Sequence, residues 1–275
     1  MNKKNILAFL VTLFLSFLLV VNLGKIDRFH FPSVAQSNQP IDLTVSAAAS
    51  LQDALKAIKP IYEKGHPEVG ITYNFGSSGS LQQQIEQGAP VDLFISAAID
   101  KMDALEKQGL LLTATRRDLL KNQMVLVTPA SHKKNNPKLD NFDDLTTKEI
   151  TTIALGEPKS VPAGKYGQEV LNYFKIAERV NSQAVYAKDV RQVLNYVATG
   201  NVDAAIIYRT DAQVSDRVQI VATAPENSHS PVIYPVAVIQ NSDNPETATE
   251  FVEFLTTLEA QALFEEYGFV PVVSY

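Results

Sequence analysis

The residue types best suited to chemistry lie in one small-residue loop, Gly76-Ser-Ser-Gly-Ser80, which carries three hydroxyl groups and no charge. The loop stands between a predicted strand over 69–75 and a predicted helix over 81–87. The first N–H groups of a helix have no partner within the helix, and together they carry roughly half a positive charge. Such a loop is suited to holding an anion by hydrogen bonds alone.

Three further turns have the same place between a strand and a helix, and two of them also consist mostly of small residues. They are Ala47-Ala-Ala-Ser50, Val161-Pro-Ala-Gly164 and Lys188-Asp-Val-Arg191. In open α/β sheets such turns gather at the carboxyl ends of the strands, where ligands bind. Four turns around one cleft, with Tyr208 at the end of another strand, would surround a small oxyanion with hydrogen-bond donors.

Each of these residues also has an ordinary structural interpretation. Ser50 and Asp53 have the spacing of a capping box, in which the serine would be the helix N-cap. The serines of the loop can be plain turn residues. Tyr208 can be a core tyrosine with its hydroxyl in water. The binding interpretation therefore depends on the joint occurrence of the turns.

Strands and helices alternate along most of the chain, which predicts an α/β fold built as two lobes around parallel strands. The C-terminal part is predicted to contain one long amphipathic helix over 247–264. Strands are predicted over 42–49, 69–75, 91–96, 124–128, 152–156, 185–186, 203–208, 218–222 and 234–239, and the other helices over 51–65, 81–87, 102–108, 167–174 and 190–199.

The N-terminal segment predicts export. Lys3 and Lys4 precede an uncharged, almost wholly apolar run over 6–21, and Ser33-Val-Ala35 has the small-x-small pattern of a cleavage site. We interpret residues 1–35 as a signal peptide, with an uncleaved anchor as the alternative. Because the chain has no cysteine, it has no site for a lipid-modified cysteine, which favours a soluble periplasmic protein over a lipoprotein.

The charge balance argues against nucleic-acid binding. The formal net charge is −6, and removal of residues 1–35 takes away four cations and one anion, which leaves −9. Such a chain repels phosphate backbones. A bound anion would have to be held by local dipoles.

A secreted serine-dependent hydrolase or transferase is the alternative from another class. A serine nucleophile needs a base within hydrogen-bond reach. None of the four histidines, at 30, 66, 132 and 229, lies in the small-residue turns, and the sequence contains no Gly-x-Ser-x-Gly, phosphate-loop or His-Glu-x-x-His motif. The sequence therefore favours a binding protein over an enzyme.

The residues resemble the family of periplasmic molybdate-binding proteins that serve ABC importers, over nearly the whole chain from about Leu43 to Val270. The resemblance is carried by eight ordered segments: Val45-Ser-Ala-Ala-Ala-Ser-Leu51, Phe75-Gly-Ser-Ser-Gly-Ser-Leu81, Gly88-Ala-Pro-Val-Asp-Leu-Phe-Ile-Ser-Ala97, Val161-Pro-Ala-Gly-Lys-Tyr166, Asp189-Val-Arg191, Ile207-Tyr-Arg-Thr-Asp-Ala212, Tyr234-Pro-Val-Ala-Val238 and Tyr267-Gly-Phe269.

The resemblance implies a type II periplasmic-binding fold with two crossover strands and a ligand cleft between lobes. One lobe would comprise 42–122 plus 234–275 and the other 123–233, with the hinge near Met124 and Tyr234. The ligand would be molybdate or tungstate, and sulfate is the alternative oxyanion. The protein would have no cofactor, would be a monomer, and would deliver its ligand to a membrane permease.

The resemblance also implies the ligand-binding residues. These would be two serine hydroxyl groups, two backbone amides and one tyrosine hydroxyl, from Ser50, Ser78, Ala163, Val190 and Tyr208, with no protein side chain bound directly to the metal. Relatives commonly carry a third serine where this chain has Gly79, so Ser77 is the alternative to Ser78. Arg209, which follows the tyrosine, is expected to face solvent.

Overall fold

The computed structural model describes residues 40–130 and 139–272, so the predicted signal segment lies outside the described residues. Eleven strands form two mixed sheets. The strands are β1 Ile41–Ala48, β2 Val69–Gly76, β3 Leu93–Ile95, β4 Arg117–Asn122, β5 Met124–Pro129, β6 Ile153–Gly156, β7 Ala184–Ala187, β8 Ala204–Tyr208, β9 Val218–Thr223, β10 Val232–Val238 and β11 Val270–Pro271.

Helices of different lengths follow most of the strands. They are α1 Gln52–Gly65, α2 Ser78–Glu86, α3 Ile99–Lys107, α4 Pro162–Tyr173, α5 Ala177–Asn181, α6 Val190–Ala198, α7 Arg209–Gln213, α8 Pro245–Leu255 and α9 Leu258–Glu266. None of the helices in the described part of the chain combines the length and apolarity needed to cross a bilayer.

The first sheet has the strand order β11-β4-β10-β3-β1-β2. In it, β1 is parallel to both β2 and β3, whereas β10 is antiparallel to β3 and β4. The register of β1 and β2 pairs Ala48 with Gly76, so the two strands end level with each other. The turns that follow them, which carry Ser50 and the serine-rich loop, therefore lie side by side.

The second sheet has the order β7-β6-β8-β5-β9, and β6 is parallel to β7 and β8. Gly156 at the end of β6 pairs with Ala187 at the end of β7. The segments that follow these strands lead into α4 and α6, and β8 ends at Tyr208. The second sheet thus presents three strand ends at one edge, as the first sheet does with its serine turns.

The chain passes from the first sheet to the second between β4 and β5, and it returns between β9 and β10. Only Gln123 separates β4 from β5. Both sheets are buried by helices, and their apolar residues belong largely to one continuous core, with a smaller cluster around Phe94 and Met102. The predicted α/β architecture with two crossovers is confirmed.

Several predicted elements are wrong in detail. The helix expected over 247–264 is two helices, because Thr257 accepts a hydrogen bond from the N–H of Ala260 and so begins a new helix. Strand β4 was not expected. Its charged and apolar residues do not alternate regularly, and only its place between β10 and β11 makes it a strand.

Several helices begin earlier than expected, and two of these differences bring helices closer to the candidate site. Helix α2 begins at Ser78, three residues before the predicted start. Helix α4 begins at Pro162, five residues before the predicted start, with proline at the position where its missing N–H does no harm. The N-terminal turns of these helices are therefore formed by the small-residue loops themselves.

Helix α4 packs unusually closely on the end of β6. A Cβ atom added to Gly164 would lie 2.1 Å from the carbonyl oxygen of Gly156. The same atom added to Gly167, one turn further along, would lie 3.5 Å from the nearest atom of Ile206, which is an ordinary contact. Gly164 thus lets the first turn of α4 lie directly on the strand end.

We expect Gly164→Ala to lower the free energy of unfolding by about 1–3 kcal/mol, because the added methyl group forces the helix away from the strand. The matched control is Gly167→Ala, which should be neutral or stabilising because alanine favours a helix interior. Urea denaturation measures both. Equal effects of the two substitutions would contradict the close-packing explanation.

Candidate binding site

The five residues that the resemblance implies as ligands all line one small cleft, to which both sheets contribute. Its cavity volume is about 10 Å³, which is about the space that one water-sized group occupies. The cleft is therefore far smaller than the roughly 300–1,000 Å³ of sites for drug-sized molecules, and it suits a small ligand. The lining residues carry no charged side chain; they are Ala48, Ala49, Ser50, Gly76, Ser77, Ser78, Ala97, Val161, Pro162, Ala163, Val190 and Tyr208.

Ser78 is fully buried at the first position of α2. Its Oγ atom accepts a hydrogen bond of 2.9 Å from the N–H of Ala97. A hydroxyl group that already accepts from the protein keeps its own proton for donation. Among the described residues, nothing accepts that proton. The Ser78 hydroxyl is therefore held in place and available as a donor in the cleft.

Ser77 uses its hydroxyl group differently, although it also lines the cleft. It is the N-cap of α2, and its Oγ accepts from the N–H of Ser80 at 3.3 Å. The Ser77 hydroxyl also donates to the Oγ of Ser80 at 2.8 Å. Because Ser77 donates its proton to Ser80, the hydrogen-bond pattern favours Ser78 over Ser77 as a donor to a ligand.

Ser50 lies buried in a short 3₁₀ turn, Ala49–Leu51, ahead of α1. Its Oγ is 2.9 Å from the hydroxyl of Tyr234, and that hydroxyl accepts from Nδ2 of Asn122 at 3.2 Å. When Tyr234 in turn donates to Ser50, the serine proton is free for the cleft. Burial, and next the charge of Asp211, raise the pKa of Tyr234, which keeps its hydroxyl protonated.

The predicted capping box at the start of α1 is wrong. The N-cap of this helix is Leu51, and no side chain caps it. The 3₁₀ turn places Ser50 one residue too early to cap α1 and directs its hydroxyl toward Tyr234 instead. Asp53 does not reach back to the serine; it forms an ion pair with Arg191.

Tyr208 is only 1% exposed, and its hydroxyl has no hydrogen-bond partner in the described part of the chain. Buried polar groups are nearly always hydrogen-bonded, and an exception asks for an explanation such as a ligand. Burial, followed by the nearby Tyr234, Tyr166 and Asp211, raises the pKa of Tyr208 far above its usual range. The hydroxyl is consequently a permanent donor that lines the cleft.

Ala163 and Val190 contribute backbone N–H groups. Ala163 is the second residue of α4, and Val190 is the first residue of α6. Asp189 caps α6 by accepting from the N–H of Gln192 at 2.8 Å. Because the first N–H groups of a helix have no intrahelical acceptor, the amides of Ala163 and Val190 can donate to an anion.

Arg191 lies at a predicted helix start, but the sequence indicated no function for its side chain. Its guanidinium group pairs with Asp53 at 2.6 Å and with Asp211 at 2.8 Å, and it donates to the carbonyl oxygen of Ser50 at 3.0 Å. Two carboxylates thus neutralise the arginine behind the cleft. The isolated Arg and Asp residues gave no sequence signal, because they meet only through the folding of separate segments.

Arg209 does not line the cleft. It is half-buried, and its guanidinium group donates to Oε1 of Gln123 at 2.9 Å and to Oγ1 of Thr223 at 2.7 Å. Both partners lie where the chain passes between the sheets. Arg209 therefore does not face solvent as expected; its side chain has a structural role next to the crossovers.

No cluster of His, Cys, Asp or Glu suited to a metal ion occurs within the described ranges.

The Asp211 carboxyl group is fully buried. Burial raises its pKa to about 6, against the lowering effect of Arg191 and with smaller raising effects from Asp53 and Asp189. The unfolded chain would take up this proton only near pH 4. Between these two values the folded state binds more protons, so this group stabilises the fold below about pH 4 and loses its contribution as the pH rises through 6.

We therefore expect the free energy of unfolding of the wild type to rise relative to that of Asp211→Asn as the pH falls from 7.5 to 4.5. Denaturant titrations at several pH values measure both proteins. The control is Asp118→Asn, which removes an exposed carboxylate. Parallel pH curves for the wild type and Asp211→Asn would contradict the raised pKa.

Comparison with known proteins identifies the class to which the chain belongs. Residues 43–270 match the family of bacterial extracellular solute-binding proteins. The match spans most of the chain, so the chain belongs to this family. The expected fold class and the expected family resemblance are both confirmed, and the family locates the folded part outside the cytoplasm.

Particular relatives refine the comparison. A Bacillus subtilis protein provisionally named as an ABC transporter substrate-binding lipoprotein is 46% identical, over 86% of this chain and 89% of its own. The molybdate-binding protein ModA of Haemophilus influenzae is 34% identical, over 92% of this chain and 95% of its own. A solved substrate-binding domain, provisionally assigned to a molybdenum ABC transporter from Clostridium difficile, is 43% identical with a TM-score of 0.65, covering 85% of this chain and all of that domain.

Proposed function

We propose that this protein captures molybdate, or tungstate, outside the cytoplasm and delivers it to the membrane permease of an ABC importer. The ligand oxygens would accept hydrogen bonds from the hydroxyls of Ser50, Ser78 and Tyr208 and from the N–H groups of Ala163 and Val190. The observation that carries the proposal is the buried, partnerless Tyr208 hydroxyl, in a cleft without charged side chains.

The donor set suits an oxyanion that carries no proton. Molybdate is a dianion at neutral pH and only accepts hydrogen bonds. A phosphate that keeps a proton would bring a donor into a cleft of donors, and one unmatched buried polar group costs about 1–3 kcal/mol. The molybdenum atom would be held only through its oxo groups, which agrees with relatives named for molybdate binding.

Sulfate is the second candidate ligand, because it is also a tetrahedral dianion that only accepts hydrogen bonds. The donors of the cleft would serve sulfate as well as molybdate, and the two ions differ mainly in size. The relatives' names favour molybdate. A direct comparison of the two ions decides between them.

A serine hydrolase is disfavoured by the distribution of bases. No histidine is among the residues that line the cleft. His66 stacks on Tyr62 with ring centroids 4.1 Å apart, and the ring of His229 lies 6.1 Å from that of Tyr166. Within the described part of the chain, no histidine stands next to Ser78 as the base that a nucleophile requires, which supports binding without catalysis.

The remaining parts of the proposal follow from the same function. Residues 42–122 plus 234–275 would form one lobe and 123–233 the other, each built on one sheet, and they would separate to admit the ligand. Residues 1–35 would direct export. The protein would act as a monomer, and its net negative charge disfavours nucleic-acid partners.

Isothermal titration of the exported chain with molybdate, tungstate, sulfate and phosphate tests the proposal directly. We expect molybdate and tungstate to bind far more tightly than sulfate, and phosphate to bind weakly. Sulfate binding as tight as that of molybdate would overturn the assigned specificity. Failure of all four ions to bind would overturn the oxyanion function.

Substitution of the loop serines tests which hydroxyl contacts the ligand. We expect Ser78→Ala to weaken molybdate binding by roughly 1–2 kcal/mol, because one hydrogen bond to a charged group is lost. Ser77→Ala should lower stability through loss of a helix cap and leave the affinity nearly unchanged. Titration and urea denaturation of both variants measure these effects. Equal affinities of Ser78→Ala and the wild type would remove Ser78 from the site.

Tyr208→Phe should weaken binding without weakening the fold. The buried hydroxyl has no partner in the described structure, so its removal should leave the ligand-free protein as stable or more stable. Tyr62→Phe is the matched control, since it removes another buried hydroxyl without a described partner, at a place outside the cleft. Unchanged molybdate affinity for Tyr208→Phe would contradict its role.

A further inference from the structure

Gly79 makes a backbone contact between a helix that follows a strand of the first sheet and a loop that follows a strand of the second sheet. Its N–H donates to the carbonyl oxygen of Ser160 at 3.0 Å. Gly79 lies in the first turn of α2, which follows β2 of the first sheet. Ser160 lies between β6 of the second sheet and α4. The hydrogen bond therefore spans the two parts of the chain that form the cleft.

No side chain fits at this contact. A Cβ atom on Gly79 would lie 2.5 Å from the carbonyl oxygen of Ser160, 2.8 Å from its Cα and 3.0 Å from its carbonyl carbon. All three are backbone atoms, so a change of rotamer cannot relieve the overlap. The loop that carries Ser160 is also fixed by its own hydrogen bonds, because the N–H groups of Ser160 and Val161 both donate to the carbonyl oxygen of Glu157.

The conformation of Gly79 does not itself require glycine. Its φ is not among the positive values of the described glycines. Glycine in a helix is less favourable than alanine by up to about 1 kcal/mol. The close approach of Ser160 is therefore the feature of the structure that calls for glycine here.

Other contacts accompany this hydrogen bond across the cleft. Lys165 of α4 pairs with Asp100 of α3 at 3.1 Å. On the side of α6, Arg191 bridges to Asp53 and to the carbonyl of Ser50. The Lys165–Asp100 pair is exposed, and such pairs contribute little and adjust easily. The Arg191 contacts are partly buried, but they are made by a long side chain that can change its rotamer. The Gly79–Ser160 contact joins two backbone segments, so no change of side-chain rotamer can accommodate a displacement.

We propose that Gly79 is the residue that permits full closure of the cleft, and that its hydrogen bond to Ser160 sets the rate at which the ligand leaves. The inference deepens the proposed function and rests on it. With the Ser160 backbone where it lies in this chain, a side chain at position 79 would hold the two parts apart and break the hydrogen bond. Ser78 directly precedes Gly79, and Ala163 follows Ser160 by three residues. The two would then no longer reach the same ligand together.

The effect should appear mainly in the dissociation rate. The open protein would still capture the ion at the same diffusion-controlled rate, whereas closure would be weakened. We expect the ligand to dissociate at least about tenfold faster from Gly79→Ala, and faster still from Gly79→Ser, which corresponds to about 1.4 kcal/mol or more. The free protein should not lose stability, because alanine favours the helix.

A stopped-flow chase measures this rate on protein loaded with whichever of molybdate, tungstate or sulfate binds the wild type in titration. The control is Gly65→Ala, at a helical glycine where an added Cβ meets nothing within 4 Å. Its dissociation rate should equal that of the wild type. A rate for Gly79→Ala within twofold of the wild type would overturn the proposal, while a change of preferred ion would overturn only the assigned specificity.

A second measurement separates the closure contact from ligand identity. Because the chain has no cysteine, spin labels can be placed at Gln83→Cys and Asn172→Cys, both exposed positions on α2 and α4. We expect the wild type to show a short-distance population that Gly79→Ala lacks, even without ligand. Identical distance distributions would overturn the proposal, whether or not an oxyanion binds.

Discussion

The cleft depends on one constraint: its hydrogen-bond donors must stay free of partners within the protein while remaining buried. Each donor meets this constraint in its own way. Ser78 accepts from Ala97, which leaves its proton free, and Tyr208 lies at a strand end without any described acceptor. Helix starts supply N–H groups that are free by geometry. Together these groups form a surface that favours a ligand that only accepts hydrogen bonds.

The surrounding charges are arranged so that they do not compete with this surface. Arg191, which lies close to the cleft, is paired with Asp53 and Asp211 rather than directed at the ligand. A buried ion pair offered to the ligand would have to overcome a large desolvation penalty. The proposed site instead uses neutral dipoles, and it uses the arginine to join the segments that carry Ser50 and Val190.

The sequence predicted the architecture and the set of turns because these depend on local patterns. Alternating strands and helices, and small residues before each helix, are visible without knowledge of the fold. The contacts between distant segments were not predictable. Tyr234, Asn122 and Arg191 act on Ser50 only because β4, β10 and α6 meet there. The capping-box spacing at Ser50 was misleading, since a 3₁₀ turn displaced the helix start.

Gly79 illustrates how a departure from a family pattern acquires a physical meaning. The sequence resemblance implies that relatives commonly carry a serine at this position, which leaves Ser77 as the alternative to Ser78 for ligand contact. In the structure the missing side chain leaves room for the backbone of Ser160, and the two serines before it divide into a cap and a donor. Gly79 thus has a proposed role of its own in closure of the cleft.

A crystal structure of the protein with molybdate, located by the anomalous signal of molybdenum, tests the central claim most directly. The account predicts one tetrahedral ion in the cleft, with its oxygens about 2.7–3.2 Å from the donors of Ser50, Ser78, Ala163, Val190 and Tyr208. It also predicts no protein atom bonded to the metal. An ion held by lysine or arginine side chains, or located away from this cleft, would contradict it.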